Sequence, residues 1–214
     1  MADRLGISEE DYQKHWSRGV DSWEEGHFDT YQDLLLALCK AAGHTPNNSV
    51  IAEITLERSL GAPRPFERIE PEIVDLIREL KLRGFRLAIV TNVGDIDLEP
   101  WPNCRLAPFF EVVIPSFQVG TLKPDPHIYE QGLQALDVRS EEAIFVGDGG
   151  WNELSGAAQV GLRPFWATWF LDRWPRGIRP GRFTGDEWRQ FPEGEPPFPR
   201  LQTPLALLDQ ISNL

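Results

Sequence analysis

The stretch IFVGDGGWNELSGAAQVG, residues 144–161, runs an apolar segment straight into an aspartate and two glycines, then into a helical pattern. Read as strand, turn and helix, it puts the carboxylate of Asp148 at the tip of a buried strand. An unpaired buried charge is expensive, so Asp148 needs water, a cation or a special purpose. Working outward, FRLAIVTN (85–92), FEVVIPS (110–116) and RPFWATW (163–169) read as further apolar strands. PEIVDLIRELKLRG (71–84) is an amphipathic helix with Pro71 at its start and Gly84 at its stop, and DPHIYEQGLQAL (125–136) is a second with Asp125 as its cap. Near-continuous apolar strands alternating with helices predict an α/β fold, a three-layer doubly wound parallel sheet. In such folds ligands bind outside the carboxyl ends of the strands.

Upstream the pattern is helical only. Ser8 and Asp11 have the spacing of a capping box. DTYQDLLLALCKAAG (29–43) is a leucine-rich helix, and SVIAEITLERSLG (49–61) repeats the design with Ile51, Ile54 and Leu60 on or near one face. The proline-rich APRPFERIEP (62–71) then breaks the chain. The expected organisation is a helical domain over 1–64 and an α/β core over 65–214. Within the core, residues 170–204 are rich in proline and carry Phe170, Trp174, Phe183, Trp188, Phe191 and Phe198. That segment reads as a long loop pinned by aromatic packing, with a partner or substrate flap as the alternative. PLALLDQISNL (204–214) reads as a short closing helix.

The 214 residues are 41% hydrophobic and 25% charged, an ordinary globular balance with enough apolar material for a core. The formal net charge of −12 repels phosphate backbones and anionic membranes, so nucleic acid is a poor general partner. The two cysteines, Cys39 and Cys104, form no metal or disulfide pattern. The polar start MADRLGISEEDYQKHW is no secretory signal, and no apolar run has membrane-spanning length, so a cytoplasmic protein is expected.

Parallel strands bring their carboxyl ends to one rim. Thr91 and Asn92 end one strand, Lys123 precedes the helix that begins near Asp125, Asp148 ends another strand, and Glu153 follows one turn later. Thr91 and nearby backbone N–H groups suit phosphoryl oxygens. Lys123 supplies a compact positive charge. Asp148, with Glu153 reached through water, suits Mg²⁺, a hard cation that takes one or two carboxylates and keeps several waters. The expected guest is a small phosphorylated molecule. His15, His27, His44 and His127 show no ligand-like spacing and read as structural.

LAIVTN, VGTLKPDPHIY and FVGDGGWNELSGAAQVGL resemble the second, third and fourth motifs of the haloacid dehalogenase-like hydrolase superfamily. The likeness covers about residues 70–170, and residues 1–64 resemble that superfamily's helical cap. The resemblance implies a Rossmann-like hydrolase core, Thr91 as phosphate-binding, Lys123 as the charge-stabilising lysine, and Asp148 with Glu153 as the acidic metal motif. It implies a Mg²⁺-dependent phosphatase working through an aspartyl-phosphate. The superfamily's first motif, a strand followed by D-x-D-x-T that carries the nucleophile, does not stand before the cap-like segment. The first core strand is therefore expected to be missing from the middle of the sheet, between 86–92 and 143–147. GDIDLEP (94–100) holds Asp95 and Asp97 two apart but follows the second motif and lacks the threonine, so it reads as a solvated loop. The chain as written is expected to be inactive, either through truncation of a longer reading frame or as a natural non-catalytic phosphate-binding or interaction module. A methyltransferase reading fails because GDGGWN does not match G-x-G-x-x-G, and dehalogenation would need a nucleophilic aspartate too.

Overall fold

The structure, a computed structural model, describes residues 1–170 and 197–212. It divides into two compact units. The first comprises Met1–Ile69, Ile89–Pro108 and Val113–Leu122; the second comprises Glu70–Ala88, Phe109–Val112 and Lys123–Leu214. The architecture is mixed α/β with parallel strand pairing, as the alternation predicts.

In the first unit three helices, Glu9–Glu24, Tyr31–Ala41 and Asn48–Gly61, bury a shared apolar face. Each begins where a side chain answers an orphan amide. The Ser8 hydroxyl accepts the Asp11 N–H at 3.0 Å. Thr30 and Asp33 form a reciprocal capping box. The Asn47 side chain accepts from the amides of Ser49 and Val50. Trp23, Tyr31, Leu34, Leu35, Leu38, Cys39, Ile51 and Ile54 fill the core between them. Leu60 differs from expectation, being 68% exposed. Nine residues at about 100° each carry it to the far side of the helix from Ile51. The strands β1 (Ala88–Thr91) and β2 (Val112–Pro115) pair in a two-stranded sheet.

In the second unit β3 (Ile144–Gly147), β4 (Arg163–Ala167) and β5 (Arg200–Leu201) form a sheet in the order β3-β4-β5, both ladders parallel. Ile144 lies opposite Arg163, and Gly147 opposite Trp166. The helix Pro71–Leu82 packs Leu76 and Leu80 with Phe165, Leu201, Leu207 and Ile211, and Ile144 and Val146 adjoin this core. The two-residue strand β5 falls in a segment read as loop; it is too short to leave a periodic signal. Most of the aromatic-rich segment, residues 171–196, lies outside the described residues. No helix among the described residues is long and apolar enough to cross a membrane.

Glu111 ties this unit together from the residue before β2. It accepts from Arg86 at 2.8 Å and from Lys81 at 3.1 Å. The Arg86 guanidinium, then the Lys81 ammonium, hold its carboxyl below the usual carboxylate range. A depressed folded-state pKa gives stability that is present above the unfolded value, about 4.3, and is lost as pH falls through the folded value. Glu111→Gln is therefore expected to flatten the acid limb of the Tm–pH profile while moving the neutral Tm little, the pair being half-exposed. Thermal melts from pH 2 to 7 check it.

Candidate functional site

β3 ends at Gly147, and the chain must then turn sharply to start the helix Glu153–Gln159. Gly149 takes the left-handed conformation at φ 87°, which costs glycine nothing. Trp151 and Asn152 follow at φ 51° and 54°. Asparagine tolerates that region; for tryptophan it is a strained position. The turn brings Glu153 back against the strand end, where it is 5% exposed. A Cβ on Gly147 would land on the Glu153 carboxylate, so only glycine fits there.

Glu153 is fully engaged. Its Oε2 accepts from Lys123 Nζ at 2.5 Å and its Oε1 from the Gly149 N–H at 3.1 Å. Burial pushes its carboxyl above the usual range; Lys123 opposes this and Asp148 adds to it. Tyr129 donates its hydroxyl to the Glu153 carbonyl at 2.8 Å, anchoring the helix start. A Cβ on Gly156 would lie 2.6 Å from the Pro124 carbonyl, so that glycine lets the loop after Lys123 close on the helix. Lys123 Nζ also stands 5.8 Å above the Phe145 ring, a cation–π distance. Asp148 is exposed at the strand tip. Its Oδ1 accepts the Gly150 N–H at 2.8 Å, and its carbonyl accepts from the Trp166 indole of β4 at 2.9 Å.

The structure thus brings Lys123, Asp148 and Glu153 together in the second unit. Thr91 and Asn92 belong to the first, where Thr91 is the last residue of β1 and half-buried. His127 is exposed and lends only its backbone N–H, to Asp125. GDIDLEP is not a solvated loop. Asp95–Leu98 is a short helix, Asp95 accepts from the Trp23 indole at 2.7 Å, and Asp97 accepts from Arg58 Nη2 at 2.7 Å and from its Nε at 3.1 Å. Their partners lie 72 and 39 residues away, beyond any local reading of the sequence. Local reading also missed Gly147, Gly156 and Tyr129. The glycine before the strand-end aspartate and the glycine on the following helix were the available signals; Tyr129 gave none.

The donor set suits a hard cation only through Asp148 directly. Both Glu153 oxygens are already bonded, so Glu153 would act behind a water. No group of three or more His, Cys, Asp or Glu side chains is poised for a metal among the described residues. One directly available carboxylate is fewer protein ligands than a zinc or calcium site uses.

Comparison with known proteins bears on the family and the fold. A haloacid dehalogenase-like hydrolase family model matches residues 1–161. The phosphoserine phosphatase of Thermus thermophilus is 37% identical over 111 residues, 51% of this chain and 42% of that protein. The glyceraldehyde 3-phosphate phosphatase of Methanopyrus kandleri is 26% identical over 162 residues, 73% of this chain and 65% of that protein. The chain thus spans about two fifths to two thirds of these relatives' lengths. Among solved structures, a 2-haloacid dehalogenase from Pseudomonas syringae superposes with a TM-score of 0.64 at 21% identity, over 99% of this chain and 84% of that one. At that identity the likeness concerns the fold.

Proposed function

This chain belongs to the haloacid dehalogenase-like hydrolase family, and on that premise we propose that it is the phosphate-binding and charge-stabilising part of a Mg²⁺-dependent phosphatase for small phosphorylated molecules. The observation that carries the reading is the buried Lys123–Glu153 pair set beside the exposed Asp148 at the tip of β3. Burying an ammonium and a carboxylate is costly, and with the Asp148 carboxylate beside them the strand end carries a net negative charge, which suits a cation that would in turn hold an anionic guest. In this reading Thr91 and Asn92 donate to phosphoryl oxygens. Lys123 neutralises charge on the guest, and Glu153 holds the ammonium in place. Asp148 would hold the Mg²⁺, whose chemistry is to neutralise phosphoryl charge. The matched phosphatases have different substrates, which supports a phosphate ester as the class and no single metabolite. The net charge of −12 supports a small-molecule guest over nucleic acid, and a cytoplasmic home belongs to the same proposal.

Residues 1–214 contain no D-x-D-x-T, so this reading assigns the attacking aspartate to none of them. Covalent phosphoryl transfer without a nucleophile has no productive step. The test is an assay of Mg²⁺-dependent hydrolysis of a simple aryl phosphate. The chain alone is expected to be inactive. The chain preceded by an apolar strand and D-x-D-x-T is expected to turn over, and Asp148→Asn is expected to abolish that turnover. Phosphate binding with no turnover in the extended chain would favour the second reading, a non-catalytic phosphate-binding or protein-interaction module.

A further inference from the structure

We propose that Trp23 and Arg58, side chains of the amino-terminal helices, are positioning residues that hold the turn after β1 in the shape that lets Thr91 and Asn92 receive phosphate. The proposal rests on the phosphate-binding reading of that turn and adds how the turn is held.

Three residues, Asn92, Val93 and Gly94, separate Thr91 from the short helix Asp95–Leu98. A four-residue helix is far below the length at which a helix holds itself, so contacts from elsewhere must fix this segment. Several described contacts within the first unit do so. The fully buried Ser116 accepts the Val93 N–H at 3.0 Å and donates its hydroxyl to the Val93 carbonyl at 3.2 Å. Gly94 lies so close to the Trp23 indole that a Cβ would overlap the ring carbon Cε2. The same indole donates to Asp95. Arg58 grips Asp97 with two nitrogens, Nε on Oδ1 and Nη2 on Oδ2, a bidentate geometry that fixes direction as well as distance.

The gripping groups are themselves fixed. Trp23 and Tyr31 are almost fully buried. The Arg58 guanidinium lies 5.0 Å from the Trp23 ring centroid and 4.7 Å from that of Tyr31. Indole, guanidinium and two aspartates therefore form one clasp between the helices and the segment that follows Thr91. The Asp95 and Asp97 carboxylates are committed to it, which removes them as stand-ins for a nucleophile. If the clasp loosens, the turn samples other shapes, and apparent affinity falls by the fraction of time the right one is present.

The test titrates inorganic phosphate, with Mg²⁺ present, into the full chain and follows the backbone amide resonances of Thr91, Asn92 and Val93. The unaltered chain is expected to show saturable shifts there, and Thr91→Val to lose them. Trp23→Phe keeps an apolar ring but deletes the donor to Asp95; Arg58→Gln deletes the fork to Asp97. Each is expected to weaken phosphate binding about five-fold, as for a turn rightly shaped a fifth of the time. Asp95→Asn, which retains an acceptor for the indole, is expected to keep near-original affinity. A merely structural role would lower Tm and leave the affinity of the folded chain alone. Should Arg58→Gln fail to fold, Trp23→Phe and Asp95→Asn decide the matter. Saturable shifts in the unaltered chain, lost in Thr91→Val but equal in Trp23→Phe, overturn the clasp and leave the phosphate reading standing. No shifts in the unaltered chain overturn the phosphate reading and the clasp with it.

Discussion

Lys123→Met is expected to destabilise the metal-free chain by about 3–5 kcal/mol, the typical cost of removing one partner of a buried ion pair. Methionine keeps most of the lysine stem, so packing changes little and the loss isolates the charge. What remains is Glu153, 5% exposed, with the Gly149 N–H as its remaining described donor. For a chain of this size the cost corresponds to about 10 °C in Tm. The partner variant identifies the cause. Glu153→Gln placed on top of Lys123→Met removes the orphaned charge while retaining an acceptor for Gly149, so the double variant is expected to recover most of the loss. Thermal or urea unfolding of the single and double variants reads this directly. Additive losses would mean that the 2.5 Å pair contributes no coupling.

Gly94→Ala is expected to cost about 3 kcal/mol, at the upper end of what overpacking a tight site produces. Its backbone sits at φ −93° and ψ −179°, extended values that alanine adopts freely, so the penalty is entirely steric. The added methyl would meet the Trp23 ring, which is 1% exposed and held by Asp95, Arg58 and Tyr31. A ring so enclosed cannot step aside, and the segment after Thr91 must move instead. Calorimetric Tm and near-ultraviolet circular dichroism of the indoles report both effects. Trp23→Leu in the Gly94→Ala background vacates space, so the two changes together are expected to cost less than their sum. A loss below about 1 kcal/mol for Gly94→Ala would show that the ring has room to shift.

Local signals carried the reading of the elements. Pro71 and Gly84 bracket a helix because one residue lacks the amide that a first turn leaves unused and the other accepts a left-handed stop. Ser8 capped its helix as spacing implied, because a cap is a contact between residues three apart. The strands formed where apolar runs stood, though each is shorter than its run, since ladder bonds end before hydrophobicity does. Leu60 went astray because a face drawn through Ile51 and Ile54 was extended too far along the helix.

The candidate site was legible as residue types and only partly as geometry. The segment 144–161 announced a strand, a carboxylate at its tip and a helix carrying a second carboxylate, and these stand as read. The sequence could not say that Glu153 would turn inward, because that depends on the left-handed conformations of Gly149, Trp151 and Asn152 and on a lysine thirty residues away. Nor could it separate Asp95 and Asp97 from solvent, since their partners come from helices far upstream. Periodicity, caps and strand ends are set by neighbours along the chain, and the sequence by itself determined them. Which charges are buried, and against what, is set by contacts between distant segments, and only the tertiary structure decided it.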